Sequence, residues 1–387
     1  MTPIYLDHNA TTPVAPAVLD AMLPCLRERF GNPSSLHVAG QQARHTLERA
    51  REQVAALVRA APRDIVFTSG GTEADNLAIL GTLAATPARR HIVTTTVEHA
   101  AVRSCCQRLE KDGYPVSWTP VDRLGRLDLD AFAAALRPDT ALASVMWANN
   151  ETGVIFPIAE LAEICAARRV PLHVDAVQAV GKLPIDLHAV PVTLLSLSAH
   201  KFHGPKGAGA LVVRKGARLR SQAVGGHQER DIRPGTENIA GIVGLGAAAE
   251  LAQMLTPTDD ARIASLRDRL EQGILSRFPT ARVNGDAARR VANTTNVSFE
   301  ALNSEAILIA LSEAGICASA GSACSSGAIE PSHVLVAMGV EERYARGMVR
   351  FSVSRFTTAD EIDTALDVLP GIVERLMQLA PAGGAGD

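Results

Sequence analysis

The sequence predicts an α/β protein: a large domain built on a mostly parallel seven-stranded sheet between helices, joined to a smaller α+β domain. Three observations predict it. Between Ile65 and Val213, short runs rich in β-branched residues alternate with runs that repeat apolar residues at helical spacing, the pattern of a parallel sheet covered on both faces. A polar, proline-containing stretch at 256–260 (TPTDD) ends that alternation. Beyond it, helices and strands follow in mixed order. The length of 387 residues suits about two domains. The division read from these signals gives 16–257 to the large domain and 1–15 with 258–380 to the small one, and 381–387 is expected to be a disordered tail.

In chain order, 15–30 reads as a helix bent at Pro24 and 40–60 as a second, amphipathic helix. Strands are expected at 65–69, 91–96, 116–121, 141–147, 171–175, 193–196 and 208–213. Helices are expected between them at 73–83, 100–111, 129–136 and 158–168. In the smaller domain, helices at 260–278, 304–314, 331–338 and 359–379 accompany strands at 295–299 and 348–354. A parallel sheet of this kind binds ligands at the carboxyl ends of its strands. The unusual polar residues fall there.

Composition excludes several classes. A net charge of −3 offers no general attraction to polyanions, so neither nucleic acid nor a membrane surface is an expected partner. Residues 1–13 carry no basic start followed by an apolar run, and the apolar stretch 239–249 falls short of the ~20 residues of a membrane span. A cytoplasmic protein is expected. Six scattered cysteines suit neither a disulfide framework nor a metal site, so no metal is expected and a cysteine that matters does so as a thiol. The chain holds five lysines against 33 arginines. A lysine in a suggestive place therefore raises the prospect that an amine is needed, because arginine does not deprotonate to become a nucleophile.

Lys201 is in such a place, directly after an apolar strand in LLSLSAHKFHGPKG, beside Ser198 and His200. Lys206, in the following turn, reads as part of that turn, while Lys111, Lys182 and Lys215 read as ordinary surface residues. The segment IVFTSGGTEADN places Gly70, Gly71 and Thr72 between a strand and a helix start, which suits an anion as well as an ordinary turn. It matches no nucleotide-binding fingerprint. His99 follows one strand, and Asp175 closes another with Gln178 three residues on. A carboxylate at the mouth of a buried strand needs a cation or donors, although a helix cap would also satisfy it. Cys324 sits among small residues in ICASAGSACSSG, presented for reaction, whereas Cys317 reads as a small buried hydrophobe. In VRFSVSRF, alternation puts Arg350, Ser352 and Ser354 on one face, where one arginine can turn inward to grip a carboxylate. A metal or iron–sulfur carrier using Cys317 and Cys324 lacks ligand spacing.

Taken together, YLDHNATTP, TSGGTEADN, TTVEHAAV, VMWANNETG, HVDAVQAVGK, SAHKFHGPKG, GGHQER, RPGTEN, SAGSACSSG, EPSHVL and VRFSVSRF resemble, in order and over essentially the whole chain, the cysteine desulfurases. These are pyridoxal-phosphate enzymes of the class V aminotransferase group, and WANNETG with GGHQER and RPGTEN is most similar to the NifS type. The resemblance implies that Lys201 anchors the cofactor as a Schiff base and then moves protons. Asp175 would pair with the pyridine nitrogen, His99 would stack on the ring, and Gln178 would donate to the phenolic oxygen. Gly71, Thr72, Ser198 and His200 would hold the phosphate, joined by Thr236 from a second subunit of a homodimer. Asn150 would lie near cofactor and substrate, Arg350 would hold the carboxylate of L-cysteine, and Cys324 would take its sulfur as a persulfide for a protein acceptor such as an iron–sulfur scaffold. Selenocysteine lyases share most of these motifs. His8, and Gly71 where some members carry alanine, are the departures from the family pattern.

Overall fold

The computed structural model describes residues 3–321 and 331–379, with side chains described at all of these except 256 and 257. Cys324 and the tail 381–387 lie outside the described residues. The chain begins with β1 (Ile4–Tyr5), α1 (Pro16–Arg27) and α2 (Val38–Val58). The alternating region follows: β2 (Ile65–Thr68), α3 (Gly71–Ala85), β3 (His91–Thr95), α4 (Ala100–Lys111), β4 (Val116–Thr119), α5 (Leu129–Ala135), β5 (Thr140–Met146), α6 (Ile158–Ala167), β6 (Leu172–Asp175), β7 (Leu194–Ser198) and β8 (Gly209–Val213). A long α7 (Ile239–Arg277) leads to β9 (Arg282–Val283), β10 (Thr294–Ser298), α8 (Ser304–Glu313), β11 (Ile316–Cys317), α9 (His333–Ala337), α10 (Glu342–Ala345), β12 (Met348–Ser352) and α11 (Ala359–Leu379).

Strands β2 to β8 form one seven-stranded sheet in the order β2-β8-β7-β6-β5-β3-β4, parallel throughout except for β8. Period-two alternation explains why it is buried on both sides. Ile65, Phe67, Val93, Ala143, Val145, Leu195, Leu197, Ala210 and Val212 face one core, shared with α2, α6 and the first part of α7. Val66, Ile92, Leu142, Leu194 and Leu211 face the other, shared with α3 and α4. The helix periodicity fits the same plan, because Val102, Cys105, Cys106 and Leu109 of α4 are buried at three- and four-residue spacing.

A second group of elements has its own core. Strands β12, β10 and β9 form an antiparallel sheet, and β1 pairs in parallel with β11. Leu6, Leu266, Leu270, Ile274, Phe299, Phe351, Val353, Ile362 and Leu369 pack together there. The expected break at TPTDD takes a different form. Helix α7 continues through it and turns by 82° between Leu255 and Thr258, as a helix does where a proline removes a backbone hydrogen bond. One bent helix thus serves both cores. Among the described residues, no single helix is long and apolar enough to cross a membrane.

Candidate active site

The parallel strands end together, and their loops enclose a cleft of about 180 Å³ lined by Gly71, Thr72, Asp75, His99, Asn150, Asp175, Val177, Gln178, Ser198, His200 and Lys201. Nine of the residues singled out in the sequence therefore meet in one place. From β2 the chain turns at Gly70 into α3, whose first turn has no side-chain cap. Its N–H groups remain open to an anion. A Cβ at Gly71 would lie 2.7 Å from Val177 Cγ2, so any side chain there would make this wall give way. From β3 the chain reaches His99, whose Nδ1 accepts from Ala101 N–H at 3.2 Å and caps α4. That bond places the ring proton on Nε2.

Strand β6 delivers Asp175 at its last residue, where Oδ1 accepts from Val177 N–H at 3.0 Å. Burial raises its proton affinity, opposed by His99 and Lys201. No lysine or arginine forms an ion pair with it among the described residues. Lys201 follows β7 in a tight turn and donates through Nζ to the carbonyls of Asn9 and Ala10 at 2.7 and 2.8 Å. Burial, with Arg350 nearby, lowers its pKa to about 8. An ordinary lysine keeps its proton to about 10.4.

Arg350 does turn inward from β12, while Phe351 and Val353 face the second core. Its Nη2 pairs with Asp7 Oδ1 at 2.7 Å, its Nη1 donates to the Asn150 carbonyl at 2.9 Å, and its buried Nε has no partner among the described residues. The backbone of Ser319 pairs with that of Arg350, so the chain leading towards Cys324 starts beside this arginine. Thr236 is exposed and does not line the cleft of its own chain. Burial pushes the thiols of Cys105 and Cys165 up to about 11 and about 12, which leaves them inert at neutral pH. Cys317 is half-buried rather than fully enclosed, because β11 is only a two-residue edge pairing.

Four residues escaped sequence reasoning. Asp75, on α3 behind Asp175, is fully buried, and burial together with the Asp175 charge holds its carboxyl well above the usual range. Behind it a neutral His173 bridges Ser144 Oγ at 2.8 Å and Ser196 Oγ at 2.9 Å. Lys182 corrects the surface expectation: its Nζ is buried and donates to Gln178 Oε1 at 2.5 Å and Asn9 Oδ1 at 3.0 Å. The four-residue spacing of Gln178 and Lys182 was the only local signal. Asn9 has every polar atom engaged, which no local pattern announces.

The model of the Aminotransferase class-V family matches residues 4–365. The chain is 56% identical over 385 residues to a cysteine desulfurase of Cereibacter sphaeroides, with 99% of each chain covered. It is 50% identical over 382 residues to the cysteine desulfurase NifS of Azotobacter vinelandii, covering 98% of this chain and 95% of that one. Among solved structures, a NifS-like protein superposes with a TM-score of 0.92 at 36% identity, over 97% of this chain and 100% of the other. Pyridoxal phosphate, the cofactor this family implies, suits the residues present. The uncapped start of α3 suits a phosphate, the buried Asp175 without a cation suits a protonated ring nitrogen, and the Lys201 amine suits an aldehyde. The chain belongs to the class V aminotransferase family, and within it to the cysteine desulfurases of the NifS type.

Proposed function

We propose that this cleft holds pyridoxal phosphate and removes sulfur from L-cysteine, giving L-alanine and a persulfide on Cys324. The convergence of Lys201, Asp175, His99 and the open start of α3 carries this reading. Lys201 would hold the cofactor through Nζ, whose lowered proton affinity favours a free amine near neutral pH, and would carry a proton at the same atom. Asp175 would hold a proton at the pyridine nitrogen, which lets the ring supply its electron sink. Gly71, Thr72, Ser198 and His200 take the phosphate, with Thr236 supplied by a second copy of the chain in a homodimer. His99 would hold the ring and move protons at Nε2, since Nδ1 is engaged by Ala101. Gln178 donates to the phenolic oxygen, and Asn150 with Arg350 takes the substrate carboxylate.

When bound, the cofactor supplies an electron sink for the pair left at the substrate Cα. The Cβ–S bond then breaks as the thiolate of Cys324 forms an S–S bond. The two thiol protons end on the persulfide and on the methyl group of alanine, so no oxidant or reductant is consumed. A protein acceptor, such as an iron–sulfur scaffold, takes the sulfur onward. The five described cysteines are unpaired thiols, which supports a reducing compartment such as the cytoplasm.

The purified protein is expected to be yellow, and borohydride is expected to fix the cofactor to Lys201, read by peptide mass. Cys324→Ala should keep the colour and lose alanine formation from cysteine. A colourless protein that takes up no cofactor overturns the reading, and full turnover by Cys324→Ala removes that thiol from it.

A further inference from the structure

One amine, Lys201, lines the cleft and a second, Lys182, is half-buried behind its Gln178 wall; the proposed reaction uses only the first. Lys182 Nζ lies beneath Gln178 and faces Lys201, Arg350, His8 and His203. Among the described residues no carboxylate pairs with it. Burying an amine without a counter-charge is costly, so its hydrogen bonds are its compensation. It gives them to two neutral amide oxygens, Gln178 Oε1 at 2.5 Å and Asn9 Oδ1 at 3.0 Å. In either protonation state the amine has at least two N–H groups to give.

These bonds fix which way two amides point. Asn9 Nδ2 donates to the Asn150 carbonyl at 3.2 Å and to Thr294 Oγ1 at 2.8 Å. A carbonyl only accepts, so Oδ1 of Asn9 must face Lys182. The same rule applies to Gln178, whose Nε2 donates to the Asn9 carbonyl at 2.9 Å while Oε1 is held by Lys182. One N–H of that amide is committed to Asn9. The other belongs to a side chain that lines the cleft. Hydrogen bonding at the amide oxygen draws electrons from the nitrogen and makes this remaining N–H a stronger donor. The Asn9 carbonyl also accepts from Lys201 Nζ at 2.7 Å, so the anchoring amine and the amide donor share one reference point.

We propose that Lys182 and Asn9 are positioning residues that turn the amide of Gln178 towards the cleft as a polarised donor to the phenolic oxygen of the bound cofactor. The proposal rests on the reading of the cleft as a pyridoxal-phosphate site. A donor at the phenolic oxygen stabilises negative charge there and disfavours proton uptake by the conjugated cofactor. Weakening that donor therefore raises the pH midpoint of the cofactor's visible absorption band.

The test is a pH titration of that band in the holoenzyme. Lys182→Met is expected to raise the midpoint by about 0.5–1 pH unit, the scale of one weakened charge-assisted hydrogen bond. Lys182→Arg, which keeps N–H donors, is expected to return it towards the native value. Should the methionine variant fail to fold, Lys182→Ala removes the donor without forcing a new side chain into the site and is expected to shift the midpoint in the same direction. In a Gln178→Ala background, Lys182→Met is expected to move nothing further, because its effect passes through that amide. An unchanged midpoint in a folded Lys182 variant, or an equal shift with and without Gln178, overturns the proposal while leaving the cofactor site intact. A native protein with no visible band overturns both.

Discussion

At the scale of single residues, the site depends on groups whose ionisation has been moved by burial. Glu98, one residue before His99, is fully buried and its pKa is raised to about 8. Its Oε1 accepts from Thr95 Oγ1 at 2.6 Å and Met146 N–H at 3.1 Å, and its Oε2 has no partner among the described residues. The folded state therefore binds a proton that the unfolded chain releases above the ordinary glutamate pKa of about 4.3. By linkage, this contribution to stability is fully present at pH 4 and is lost as pH rises towards 8. Glu98→Gln, which mimics the protonated carboxyl, is expected to lose less stability between pH 5 and pH 8 than the native chain in urea unfolding. Parallel pH profiles for the two proteins would mean that Glu98 is ionised in the fold. The neighbouring pair of Asp75 and Asp175 obeys the same electrostatics, since two carboxyls in one buried site do not both ionise freely.

At the scale of elements, the walls of the cleft are strand ends whose positions the sequence made legible. Each of the seven strands of the large sheet lies where short apolar runs were bounded by turn residues, with no end shifted by more than two residues. Strand β9 has two residues, too short for alternation to register. The continuity of α7 was hidden because a proline and four polar neighbours read as a loop, whereas contacts with α1, α2 and α11 support the helix on both sides of its bend. Lys182 was misread for a different reason: its acceptors on Asn9 are more than 170 positions away in the chain. Long-range satisfaction of polar groups leaves no periodic trace. The close approach of α3 to the β6 loop yields a test. Gly71→Ala would put a methyl group 2.7 Å from Val177 Cγ2, and Val177 is itself a wall of the cleft. Overpacking of this kind costs about 1–3 kcal/mol, and a displaced wall is expected to weaken cofactor retention about tenfold. Val177→Ala in the same chain should restore retention, measured by cofactor dissociation. Failure of the second substitution to rescue would place the fault in the α3 turn itself.

At the scale of the whole molecule, one chain leaves two features without a counterpart. Thr236 is exposed and does not line the cleft that holds the residues the family pattern groups with it. Leu26, Phe30, Leu36 and Val38 are 62%, 77%, 90% and 70% exposed, an unusual apolar outlay on α1, α2 and the loop between them. The proposed homodimer, covering apolar surface and delivering Thr236 to the other chain's cleft, would account for both. Such a site has a genetic signature. In a dimer formed from Lys201→Ala and Thr236→Val chains, one cleft carries both defects and the other carries neither. Subunit exchange between the two inactive or weakened proteins is therefore expected to raise desulfurase activity above the mean of the separate parents, towards half the native activity in each mixed dimer. Titrating one parent against the other should give a maximum at equal amounts. If activity instead tracks the Thr236→Val chain alone, Thr236 serves its own cleft or none, and the dimer does not complete the phosphate site.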